Sequence, residues 1–99
     1  MSDPSEEDAV EIPLDGILDL HAFRPRDVPS VVNEYLDACR AKGIREIRII
    51  HGKGIGALRE TVHRALERRD DVASFRLDSQ SASGWGATLV VLAPDRSQM

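Results

Sequence analysis

Ninety-nine residues, 41% hydrophobic and 30% charged with a net charge of −4, describe one small folded domain with an adequate but not large core. Apolar runs such as ATLVVLAP, 87–94, are too short to cross a bilayer, and no basic and apolar leader precedes them, so neither a membrane span nor a signal peptide is expected. A lone cysteine, Cys39, excludes an internal disulfide and agrees with a reducing, cytoplasmic setting.

The charge is uneven along the chain. Residues 1–15 hold six acids and no base, which leaves 11 acids and 13 bases for the other 84 residues. Residues 1–11 are therefore expected to be an acidic leader without fixed structure, 12–95 the folded domain and 96–99 a short tail. A surplus of two bases is not the dense basic face of a tight nucleic-acid binder, so their clustering matters more than their sum.

GILDLHAF carries Ile17, Leu18 and Leu20 and predicts a first strand over 16–21. RPRDVPS breaks it and opens a helix, with Asp27 as N-cap and Pro29 in the first turn, where a missing N–H costs little. Val28, Val31, Val32, Tyr35, Leu36 and Cys39 recur at steps of three and four, one apolar helix face that assigns Cys39 to core packing. Lys42 and Gly43 end that helix. A second strand is predicted over 46–51 and a second helix over 57–69. That helix turns Leu58, Val62, Ala65 and Leu66 inward and Arg59, Glu60, His63, Arg64, Glu67 and Arg68 to water. VASFRLD alternates, with Val72, Ser74 and Arg76 on one side and Ala73, Phe75 and Leu77 on the other. SQSASGWG is a loop, and ATLVVL is a fourth strand.

The order is β-α-β-α-β-β. Right-handed crossovers predict three parallel first strands with both helices on one face of a two-layer α/β domain, the other face being open to a protein partner. Ligands gather at the carboxyl ends of such strands, where His21 and His51 both fall.

Asp19 and His21, two apart on a strand, leave the same face, and a carboxylate beside an imidazole suits a general acid or base. HGKGIGALRE, from His51, turns a strand into a helix through Gly52, Gly54 and Gly56. Backbone amides of such a turn converge on an anion, the helix dipole favours it, and Lys53 adds a full charge. On spacing alone, a tight turn that simply requires glycine explains the same residues. The pattern is neither a Walker loop nor a dinucleotide fingerprint.

LDLH, HGKGIGALR some thirty residues later, and GWGATLVVL near the end together resemble the small MutS-related (Smr) domain family over about residues 17–92. The matching positions are Leu18, Asp19, Leu20 and His21; then His51, Gly52, Lys53 and Gly54 followed by Leu58 and Arg59; then Gly84, Gly86 and Thr88. Where the family usually has glycine after the first histidine, this chain has Ala22. The resemblance implies a mixed four-stranded sheet like that of the C-terminal domain of translation initiation factor three. It also implies nucleic-acid binding and, in many members, endonuclease activity on RNA or DNA.

Three readings follow. In the first, an endonuclease, Asp19 orients His21 for proton transfer at the scissile phosphate. Lys53 and the amides of Gly52 to Gly56 stabilise the phosphoryl oxygens, and His51 is a second acid–base group or a phosphate ligand. RNA supplies its own 2′-hydroxyl nucleophile and needs no metal. DNA needs an activated water, for which a divalent metal on Asp19, His21 and His51 is an option without a ligand-spacing motif behind it. In the second reading, Arg24, Arg26, Lys53 and Arg59 bind nucleic acid without chemistry, and Trp85 either stacks on an unpaired base or covers its own sheet. The third is a protein-binding adaptor working through the open sheet face.

Overall fold

The computed structural model describes residues 14–52, 56–78 and 86–94. The leader over 1–11, the tail over 96–99, and Lys53, Gly54, Gly84 and Trp85 lie outside them.

The elements come in the expected order: β1 (Ile17–Asp19), α1 (Val28–Ala41), β2 (Glu46–Ile50), α2 (Ala57–Glu67), β3 (Val72–Leu77) and β4 (Ala87–Leu92). They form one mixed four-stranded sheet in the order β1-β2-β4-β3. β1 is parallel to β2, and β4 is antiparallel to both β2 and β3. The first three strands therefore share a direction as expected, but β4 stands between β2 and β3. Composition explains the insertion. β4 is apolar apart from Thr88 and buried along most of its length, which suits a central strand, whereas β3 alternates and takes an edge.

Both helices pack on one face. There Leu18, Ile47, Ile49, Val90 and Leu92 of the sheet meet Val32, Leu36 and Cys39 of α1 and Val62 and Leu66 of α2. Cys39 is fully buried, and that burial pushes its thiol pKa up, so it is a packing residue. β1 has three residues and one neighbour, and Tyr35 compensates. Its hydroxyl accepts from the Gly16 amide at 3.1 Å and donates to the Ile17 carbonyl at 3.2 Å. Gly16 itself has φ +88°, and a Cβ there would lie 3.0 Å from the Glu46 carbonyl oxygen. Among the described residues no helix covers the opposite sheet face, and Ile17 on it is 48% exposed. No helix among the described residues is long and apolar enough to cross a membrane.

Four expectations are corrected. β1 ends at Asp19 rather than at 21, because the Asp19 carboxylate accepts the His21 amide and winds Leu20–Ala22 into a 3₁₀ turn. Asp27 is the N-cap residue of α1, but its side chain makes no cap bond; a 3₁₀ turn over Pro25–Asp27 leads directly into the helix. In β3 the register shifts between Val72 and Ser74, so Val72 joins Phe75 against the core instead of lying with Arg76. Finally, His63 packs inward rather than facing water.

Candidate functional site

The carboxyl ends of β1 and β2 meet the N-terminus of α2. Asp19, the last residue of β1, caps the 3₁₀ turn with one oxygen, Oδ1, which accepts from the His21 amide at 2.9 Å and from His21 Nδ1 at 2.6 Å. His21 lies in the 3₁₀ turn and not on the strand, so the pair is made by the turn. Both side chains are open to solvent, His21 68% and Asp19 58% exposed. The His21 amide, and secondarily its ring, hold the Asp19 carboxyl below the usual carboxylate range. Since a carboxylate only accepts, His21 Nδ1 carries the hydrogen, and Nε2 has no hydrogen-bond partner among the described residues. That nitrogen overhangs the glycine turn: a Cβ on Gly52 would lie 3.4 Å from it. Ala22, in place of the family's glycine, sits in the 3₁₀ turn, and no non-glycine residue among those described has positive φ, so alanine fits there without backbone strain.

Gly52 has φ +82°, a conformation that asks for glycine. Its amide is turned inward and, with that of His51, donates to the Gly86 carbonyl at 2.8 and 2.9 Å. What Gly52 offers the site is therefore a backbone without a side chain beneath His21, rather than a free N–H. Gly56, with φ +86°, precedes α2, and a Cβ on it would lie 3.0 Å from Arg59 Nη2. The Arg59 guanidinium thus lies against the start of α2, on the same turn.

His51 is buried, 5% exposed. Its Nδ1 lies 3.0 Å from the Gly52 carbonyl oxygen and its Nε2 2.9 Å from Thr88 Oγ1. Thr88, fully buried in β4, is also 2.8 Å from His63 Nε2. Burial holds both imidazoles below their ordinary pKa. For His51 the Gly52 carbonyl opposes this and Arg59 reinforces it; for His63, His51 and Arg59 reinforce it and Glu67 opposes it.

The turn therefore brings Asp19, His21, His51, Gly52, Gly56 and Arg59 into one neighbourhood. Arg24 and Arg26 are exposed on the segment that follows the 3₁₀ turn. Lys53, Gly54 and Trp85 fall outside the described residues. Among the described residues, no group of three His, Cys, Asp or Glu side chains is arranged to hold a metal ion. His63 is the residue that sequence reasoning assigned elsewhere. A signal was present: His63 follows Arg59 by four residues and shares its helix stripe, next to the inward-facing Val62.

The Smr domain family model matches residues 18–93. Endonuclease MutS2 of Halothermothrix orenii is 40% identical over 75 residues, 76% of this chain and 10% of that protein. Endonuclease MutS2 of Gemmatimonas aurantiaca is 41% identical over 76 residues, 77% of this chain and 9% of that protein. This chain thus spans about a tenth of the length of such relatives. Among solved structures, the Smr domain of Thermus thermophilus MutS2 superposes with a TM-score of 0.73 at 36% identity, covering 79% of this chain and 98% of that one. YdaL, a stand-alone small MutS-related protein of Escherichia coli, gives 0.74 at 29% identity, covering 82% of this chain and 66% of that one. The chain belongs to the Smr domain family.

Proposed function

We propose that this domain binds nucleic acid and cleaves its phosphodiester backbone as an endonuclease, with Asp19 and His21 as the proton-transfer pair. The observation that carries this reading is the free Nε2 of His21, oriented by Asp19 and held over the side-chain-free backbone of Gly52. A phosphate on that turn meets the imidazole on one side and Arg59 on the other. His21 Nε2 takes the proton from the attacking oxygen, which is the 2′-hydroxyl in RNA or a water in DNA. The new O–P bond forms as the P–O5′ bond breaks, and the leaving oxygen takes its proton from solvent. Asp19 remains ionised and stabilises the imidazolium. Arg59, Lys53 and the first-turn amides of α2 neutralise the non-bridging oxygens.

His51 enters in a supporting role. Both of its nitrogens face protein partners, so we assign it to holding the turn rather than to a second proton transfer. Arg24, Arg26 and Trp85 are proposed to extend the binding surface.

Incubation with labelled single- and double-stranded RNA and DNA, with and without EDTA, tests this. Cleavage by the wild type that disappears in His21→Ala is the expected result. Salt-sensitive binding that leaves the polymer intact would support a binding module instead, and absence of binding would leave the open sheet face as the working surface.

A further inference from the structure

The group formed by the buried His51 and Thr88 and the half-buried His63 has a single neutral hydrogen-bond solution. The Gly52 carbonyl can only accept, so His51 Nδ1, 3.0 Å away, carries a hydrogen. In a neutral ring His51 Nε2 is then bare, and the Thr88 hydroxyl, 2.9 Å away, must donate to it. Thr88 has one hydrogen. The contact of 2.8 Å with His63 Nε2 must therefore run the other way, with the His63 N–H donating to Thr88 Oγ1. The two histidines are opposite tautomers around one shared hydroxyl.

We infer that His63 is a positioning residue for the glycine turn: by donating to Thr88 it keeps the Thr88 hydroxyl aimed at the bare Nε2 of His51, whose Nδ1–H grips the Gly52 carbonyl. Its bearing on cleavage rests on the reading of that turn as the phosphate site. Among the described residues, the groups facing His63 are Arg59 and Glu67 on its own helix, His51 beyond β2, the Phe75 ring of β3 at 4.9 Å, and Thr88 of β4.

The arrangement treats protons at its two ends differently. A proton added to His63 lands on Nδ1 and leaves all three bonds in place. A proton added to His51 lands on Nε2, so Thr88 Oγ1 must accept there beside the His63 N–H, two donors meeting on one oxygen, and the Thr88 hydrogen loses the acceptor it had on His51. His63 as donor thus holds the proton off His51. Without it, a protonated His51 is the single imidazole donor to Thr88 Oγ1 and meets no second N–H there.

Imidazole ¹⁵N–¹H spectra of the full chain across pH 5–8 test the assignment. In the wild type, His51 should be protonated on Nδ1 and bare on Nε2, and His63 the reverse. In His63→Leu, which keeps an apolar side chain against Phe75, the proton affinity of His51 should rise about tenfold, while the neutral ring, still held by the Gly52 carbonyl, keeps its hydrogen on Nδ1. His63→Gln, whose amide can still donate to Thr88, should restore the wild-type pattern. An Nε2–H tautomer of His51 in the wild type, or a His51 unchanged by His63→Leu, overturns the inference. If His63→Leu does not fold, the wild-type and His63→Gln spectra decide it. The nuclease reading is tested separately through His21→Ala, and its loss would leave these spectra as they are.

Discussion

At the scale of single residues, the proposed chemistry rests on one exposed pair, Asp19 and His21. His21 contributes little packing, so His21→Ala should leave the thermal unfolding midpoint within about 2 °C of the wild type, as for ordinary surface substitutions. Cleavage of a labelled oligonucleotide should nonetheless fall by about 10²–10⁴-fold, the usual contribution of a positioned acid–base group. Retained cleavage would remove His21 from the mechanism. The main cause of the lowered Asp19 pKa is the His21 backbone N–H, not its ring. A ¹³C titration of the Asp19 carboxyl should therefore show most of the depression surviving in His21→Ala. A return to the ordinary aspartate value in that variant would mean that the ring alone ionises Asp19, and that the 3₁₀ cap is weak.

At the scale of elements, the turn after β2 shows what sequence could and could not reveal. Helices and strands were legible because their apolar spacings, such as Val28, Val32, Leu36 and Cys39, are repeated and long enough to average out single exceptions. The end of β1 was not. LDLH alternates like a strand, but a short aspartate can bond the amide two residues on, and that local bond converts His21 from strand to turn. The Asp19–His21 pair was thus right in its partners and different in its geometric cause. The bulge at Ala73 and the inward His63 escaped for another reason: both depend on β4 entering between β2 and β3, a non-local fact. The glycine of the turn gives a direct test. Gly52 has φ +82°, so Gly52→Ala should cost roughly 1–2 kcal/mol for left-handed backbone. Its Cβ, 3.4 Å from His21 Nε2, would also crowd the free nitrogen. Cleavage should fall more than stability does. Equal losses in Gly52→Ala and in a purely destabilising core variant such as Val62→Ala would show that the glycine serves the fold only.

At the scale of the whole molecule, the site and a structural clamp occupy opposite ends of the sheet. Arg69, just beyond α2, holds Asp71 through two nitrogens at 2.9 and 2.8 Å, and reaches Asp37 at 2.6 Å and the Asn33 side chain at 3.0 Å on α1. Arg69 and Asp71 are nearly buried, 12% and 11% exposed, so the clamp joins both helices to the start of β3 in a place where an unpaired charge is costly. Arg69→Ala should destabilise by about 3 kcal/mol, seen as a lower urea midpoint, while leaving the imidazole spectra of the distant site unchanged. The pH dependence separates the two ends. The Asp71 pKa is lowered by Arg69, so its contribution is present above the ordinary aspartate value and is lost as pH falls through the lower folded value. His51 and His63 also have lowered pKa values, by burial, and the unfolded chain binds more protons there. Their contribution is therefore complete above about pH 6.5 and declines as pH falls toward the folded values. The wild type should lose stability in two stages, the first below pH 6.5 and the second below pH 4. Arg69→Ala should keep the first stage and shrink the second, leaving chiefly the share of Asp19, whose carboxyl is also held low, whereas replacing His51 and His63 together with Gln should remove the first and keep the second. Urea midpoints at pH 7.5, 5 and 3 for the three proteins distinguish these outcomes, and a single shared decline in all of them would show that neither end controls the response to acid.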